Sequence, residues 1–312
     1  MRLSHRVASA ALLIVLSIVL IKYHLDSLNN DSLRPFWRSS KKSKHPDIIT
    51  HVRTRINFPK SSVLKTNPSR EKTEIIVPND RIIVMAKLKD VDTNWVGAEL
   101  AEWKYKIYTV DDTLAPTHTP KNKGREALAY LQYIVDHYHD LPSTIVFLHP
   151  HRDGLDGWHT DNPAHNNVDS IRSLQTDYIQ KAGFANLRCK QAPGCPGLKP
   201  LRHPPSRKTV ENAFANAWVE LFNTTNVPEE VGAPCCSQFA VSRDQVLQRP
   251  HSDYVWFYNW VLETDLPDNV AAAVLENTWH VIFGKDAVFC PDEAQCYEDV
   301  YGIPRPESLF ST

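Results

Sequence analysis

The chain has 312 residues, 42% of them hydrophobic and 23% charged, enough for one large globular domain with an appendage. Its formal charge of −1 hides an asymmetry. Residues 22–79 carry twelve Lys/Arg against five Asp/Glu, whereas residues 80–312 sum to −10, so the globular part lacks the basic face of a nucleic-acid groove.

At the N-terminus, Val7 to Ile21 is an uncharged run flanked by Arg2, Arg6 and Lys22. No small-x-small cleavage site follows it, which argues against a removed signal peptide. Fifteen residues are short for a plasma-membrane span and suit the thinner bilayers of the early secretory pathway. The expectation is a type II signal anchor at 7–21, a cytosolic tail at 1–6, and a Golgi or endoplasmic-reticulum lumenal domain. Residues 22–79, rich in Ser, Pro, Lys and Arg without an apolar period, read as a disordered basic stem.

From Asp80 the pattern changes. Arg81–Leu88 reads as a strand, Thr93–Trp103 as a helix, and Tyr105–Val110 as a second strand ending in Asp111-Asp112. A loop leads to a helix in which Ala127, Leu128, Leu131, Ile134, Val135 and Tyr138 recur at helical spacing. Thr144–Leu148 is a third strand. This β-α-β-α-β order predicts a three-layer, mostly parallel, Rossmann-like α/β sheet flanked by helices, over 80–312. Residues 150–207 read as loop-rich, 208–222 as a helix and "CCSQFAVS" as a strand. Ser242 with Gln245 makes a capping box, and helices follow at 252–264 and 267–283.

The six cysteines suit disulfides in an oxidising lumen. Proximity pairs Cys189 with Cys195 and Cys290 with Cys296, and leaves the adjacent Cys235 and Cys236 unassigned. Of two glycosylation sequons, at Asn30 and Asn223, Asn223 stands farther from the membrane.

Ligands of open α/β sheets bind beyond the carboxyl ends of the strands. Two polar clusters fall there: Asp111 with Asp112, and a knot of His149, His151, Asp153, Asp156, His159 and Asp161. Two residues apart on an extended backbone, His149 and His151 point the same way, as a pair of imidazole metal ligands must. The plainer reading is a solvated loop, with Asp111 and Asp112 as turn residues. Glu276 and His280 are four apart and share a face if their helix is continuous, which makes Glu276 a candidate base and His280 a candidate metal ligand. Lys123 and Arg125 precede a helix N-terminus that favours anions, and Glu126 complements the helix dipole there.

Over "NKGREALAYLQYIVDHYHDLPSTIVFLHPHRDGLDGWHTD", "CCSQFAVSRDQVLQRP", "LENTWHVIFG" and "CPDEAQCYEDVYG", the chain resembles the fungal family labelled domain of unknown function 3431. That resemblance spans roughly residues 80–305 and carries no catalytic residue with it. More weakly, a short anchor, a basic stem and a lumenal α/β domain resemble type II Golgi glycosyltransferases of the GT-A fold. Members of that group hold Mn²⁺ on a nucleotide-sugar diphosphate with a D-x-D motif. Here Asp111-Asp112 lacks the spacer, and His149-Pro150-His151 stands where an acidic motif is expected.

The resulting expectation is a membrane-anchored, glycosyltransferase-like enzyme that takes a nucleotide-sugar donor and a glycan or glycoprotein acceptor. Asp111, Asp112, Lys123 and Arg125 would serve the nucleotide or a divalent ion such as Mn²⁺, with Asp112 and Glu276 as catalytic carboxylates. His149, His151 and His280 would be metal ligands. The alternatives are a metal-dependent hydrolase or oxygenase built on His149 and His151, and a non-catalytic lumenal binding domain.

Overall fold

A computed structural model describes residues 80–153, 165–202 and 205–304. The anchor at 7–21, the stem at 22–79, the sequon at Asn30, and Asp156, His159 and Asp161 lie outside the described residues. Among the described residues no helix is long and apolar enough to cross a membrane.

In chain order the elements are β1 (Arg81–Lys87), α1 (Asn94–Glu99), β2 (Lys104–Thr109), α2 (Glu126–His137) and β3 (Thr144–Phe147). They continue with α3 (Asn167–Ser173), α4 (Thr176–Ala182), β4 (Phe184–Asn186), a 3₁₀ turn at Pro200–Arg202, α5 (Val210–Phe222) and β5 (Phe239–Ser242). The chain closes with α6 (Arg243–Leu247), α7 (His251–Glu263), α8 (Asp268–Glu276), α9 (Trp279–Ile282) and α10 (Glu293–Tyr301).

The five strands form one mixed sheet in the order β2-β1-β3-β5-β4. β1 pairs in parallel with both β2 and β3, as the β-α-β-α-β pattern predicts. β5 runs antiparallel to β3 on one side and to β4 on the other. The strand expected in "CCSQFAVS" therefore exists, but it is reversed within an otherwise unidirectional sheet.

β1 is buried along its middle on both faces, which is why it reads as an unbroken apolar run. Ile82, Val84 and Ala86 face one core with Ile145 and Phe147, against side chains of α2, α5, α7, α8 and α9. Ile83, Met85, Val146 and Leu148 face a second core with α1, α3, α4 and α10. Period-two alternation thus feeds two helical layers. On α2 the buried set is wider than one stripe, because Tyr130 and Tyr133 also turn inward onto Phe147.

Two local readings change. The loop-rich stretch after residue 150 contains α3, α4 and β4. The helix expected over 267–283 breaks after Glu276, where Asn277 Nδ2 donates to the Ala273 carbonyl at 2.8 Å and Thr278 Oγ1 to that of Val274 at 3.0 Å. Such side-chain donors compete with the backbone ladder and end a helix. Ser242, by contrast, caps α6 as expected, accepting from the Gln245 N–H.

The cysteine pairing is crosswise. Cys189 joins Cys296 and Cys195 joins Cys290, with Cα atoms 5.5 and 6.1 Å apart. The expected loops 189–195 and 290–296 do not close on themselves. The two segments lie side by side, so the nearest sulfur belongs to the other segment. Cys235 bonds to its neighbour Cys236, and no described cysteine is free.

Candidate functional site

From β1 the chain steps to β2 on one side and then to β3 on the other. That reversal leaves a crevice beyond the carboxyl ends of β1 and β3, the place where α/β sheets take ligands. A cavity of about 400 Å³ occupies it, within the range of small-molecule sites. Lys87 and Leu88 close it from β1, Val110 from β2, Arg125 and Glu126 from the start of α2, and His149 to His151 from β3. Asp268, at the start of α8, completes the wall.

The loop after β3 is held by its backbone, which fixes both histidines. The His149 N–H donates to Gln238 Oε1 at 2.9 Å, and the Pro150 carbonyl accepts from Trp95 Nε1 at 3.2 Å. The His151 carbonyl accepts from Asn167 Nδ2 at 2.7 Å. Arg152 then ties the loop to α1 through two hydrogen bonds to Glu99, at 2.6 and 2.8 Å. Burial, with His151 and Arg125 nearby, pulls the His149 imidazole down to about 4. It is neutral at physiological pH.

Arg125 is the strained member. It caps α2 at φ 51° and ψ −123°, directly after Gly124 at φ 65°. A side chain at that angle costs energy that glycine would avoid. The turn is pinned because the Gly124 N–H donates to Asp268 and Lys123 Nζ donates to the Leu266 carbonyl at 2.8 Å. Lys123 is thereby spent on the loop before α8, whereas the exposed Arg125 lines the cavity.

Two carboxyls sit behind Arg125. Glu126 lines the cavity, and burial raises its pKa against the opposing pull of Ser237 and Arg125. Glu276 accepts from the Cys236 N–H at 3.0 Å. Its pKa is also raised, by burial first, then by Glu126 against the pull of Cys236 and Arg125. Glu276 lines a second cavity of about 220 Å³, with Gly194, Gly197 and Cys235 around it. Cys236 and Ser237, at φ 95° and 49°, add further strained backbone beside Glu276.

The structure thus brings together Arg125, His149 and His151, whereas Glu276 lines the smaller cavity. It does not gather the remaining sequence candidates. Asp111 accepts from the Lys89 N–H at 2.8 Å and Asp112 from the Leu114 N–H at 2.9 Å, and neither lines the cavity. His280 is buried outside it, with Nε2 bonded to the Ala287 carbonyl at 2.9 Å. The helix break at Asn277 removes the shared face on which Glu276 and His280 were expected to meet. Glu126 and Asp268 were missed as site residues, since each looks like an ordinary first-turn acid.

Among the described residues, the only trio of potential ligand atoms within 4.8 Å of one another is Cys235, Cys236 and Glu276. The two sulfurs there are joined, so they offer no thiolate. The described part of the cleft does not assemble a divalent-ion site.

A family model matches residues 83–299, from within β1 to within α10. The chain belongs to the family described as protein of unknown function (DUF3431). The matched range runs over all five strands, starting within β1. No curated protein and no solved structure matches the chain.

Proposed function

We propose that this member of the family is a membrane-anchored, lumenal glycosyltransferase-like enzyme, with its donor in the cleft beyond β1 and β3. The observation that carries the reading is Arg125, a cation held at a costly backbone angle on the N-terminus of α2 and aimed into the cleft of the sheet. A guanidinium at the first turn of a helix, on the positive end of its dipole, suits a diphosphate. Asp268 is placed to accept from ribose or sugar hydroxyls, and His149 and His151 to bond the sugar.

In the reaction, Glu276 takes the proton of an acceptor hydroxyl entered through the smaller cavity. That oxygen bonds to the anomeric carbon as the bond from carbon to phosphate oxygen breaks. The nucleoside diphosphate leaves with the electron pair, and Arg125 stabilises its charge. Raised carboxyl pKa values bring the base closer to working pH. The described residues do not build a Mn²⁺ site, so no step is routed through a metal.

Lumenal placement is supported by the disulfides, which need an oxidising compartment. The test is a thermal-shift screen of the full-length chain against nucleotide-sugars, with and without Mn²⁺. A rise in Tm with nucleoside diphosphates and their sugars, but not with nucleosides, is expected. No response to any nucleotide refutes the reading and leaves a binding domain for another ligand.

A further inference from the structure

A third concavity, of about 390 Å³, lies where the end of α5 meets the start of α7. Its rim holds Asn223, the sequon residue, and its wall holds Trp256, with Ser252, Asp253 and Arg249 around it. Trp256 is 54% exposed, whereas every other described tryptophan is 9% exposed or less. That leaves one face of an indole open beside the sequon residue.

The ring is not loose. Trp256 Nε1 donates to the Glu220 carbonyl at 3.0 Å, and the Glu220 carboxylate accepts from Trp260 Nε1 at 2.7 Å. One residue on the last turn of α5 therefore fixes two indoles. Asn223 follows three positions later as the left-handed cap of α5, at φ 49° and ψ 43°, with its side chain exposed. Arg249 is set beside the groove by hydrogen bonds to the Ile282 carbonyl at 2.9 Å and to Asp253 at 3.1 Å.

We propose that this groove is the seat of the chain's own N-glycan: the first N-acetylglucosamine on Asn223 lies against the face of Trp256. The inference rests on lumenal placement but not on the donor chemistry of the cleft. A pyranose offers an apolar C–H face to an aromatic ring while its hydroxyls and acetamide take polar partners at the edge. Trp256 supplies the ring, and Ser252, Asp253 and Arg249 supply the edge. Covalent attachment at the rim removes most of the entropy cost of binding so weak a ligand.

The test is a double-mutant cycle on the full chain made in a eukaryotic secretory host. Glycopeptide mapping should find Asn223 occupied. Removing the glycan by Thr225→Ala, which leaves Asn223 itself in place, should lower Tm by about 2–4 °C, on the order of 1 kcal/mol for a domain of this size. Trp256→Ala also loses its own bond to Glu220, so it should cost more in the glycosylated chain than in the Thr225→Ala background, the difference equalling the loss caused by removing the glycan. Trimming the glycan to its first sugar should leave Tm unchanged. If Trp256→Ala does not fold, Trp256→Phe, which keeps a smaller ring, should retain part of the coupling. An unmodified Asn223, or additive losses in the cycle, would overturn the proposal and leave the groove to another occupant.

Discussion

Arg125→Gly should separate stability from function in opposite directions. The native residue sits at φ 51° and ψ −123°, where a side chain costs about 1–3 kcal/mol. Glycine relieves that strain and gives back about 0.5–1 kcal/mol through the greater freedom of the unfolded chain. A net gain of roughly 0.5–2 kcal/mol remains, a rise of about 2–6 °C in Tm for a domain of this size. Glycine is also tolerated at a helix N-cap, so no cap is lost. Binding moves the other way. Charge-assisted hydrogen bonds to a diphosphate are worth about 1.5–3 kcal/mol, so Kd for a nucleoside diphosphate should weaken by roughly ten- to a hundredfold. Arg125→Ala is the control: it keeps the strain and removes the charge, so Tm should stay near wild type while binding falls equally. Differential scanning fluorimetry and titration calorimetry read both quantities. A lower Tm for Arg125→Gly, or unchanged binding in both variants, would refute the argument that function holds the arginine there.

Other expectations follow from the same geometry. His149 has a folded pKa of about 4, below the ordinary histidine value, so the folded state resists its protonation. Its contribution is present above about pH 6.5 and lost as pH falls toward 4, roughly 3 kcal/mol in all; His149→Gln should flatten the fall of Tm over that window. Glu276 has a raised pKa, so its ionisation destabilises the fold as pH rises past the ordinary carboxyl range. Glu276→Gln keeps an acceptor for the Cys236 N–H, and should hold or raise Tm at pH 8 while removing turnover. Cys296→Ser leaves Cys195–Cys290 to hold the long loop and opens only the short ring between the two crosslinks, so it should cost about 3 kcal/mol. Non-reduced peptide mapping should show Cys189 with Cys296 and Cys195 with Cys290, and a peptide joining Cys189 to Cys195 would contradict the fold.

The parallel half of the sheet was legible because each strand is a short apolar run bounded by polar turns, and the helix between β2 and β3 has a clear period. The reversed direction of β5 was not, since "FAVS" reads the same either way and its partners lie far along the chain. Cysteine spacing misled for a related reason: Cys189 and Cys195 are near in sequence, but the 290–296 segment is nearer in space. The break between α8 and α9 was readable in principle from Asn277-Thr278, two poor helix formers whose side chains bond backward. His149 and His151 do line the cleft, whereas Asp112 bonds the N–H two residues on, as a turn aspartate does, and Asp111 holds the Lys89 N–H beyond the end of β1. Glu126 and Asp268 carried no signal beyond first-turn acids, because only the tertiary fold faces them onto one cavity. The strain at Arg125 was invisible, since sequence reports the residue and not its φ.

The central claim, that the cleft beyond β1 and β3 takes a nucleoside diphosphate on Arg125, is tested most directly by hydrogen exchange. The full-length chain would be compared with and without the nucleotide that raises its Tm most. Slower exchange confined to residues 86–91, 122–128 and 149–153, and absent in Arg125→Ala, is the predicted result. Protection elsewhere, or equal protection in the variant, would contradict it.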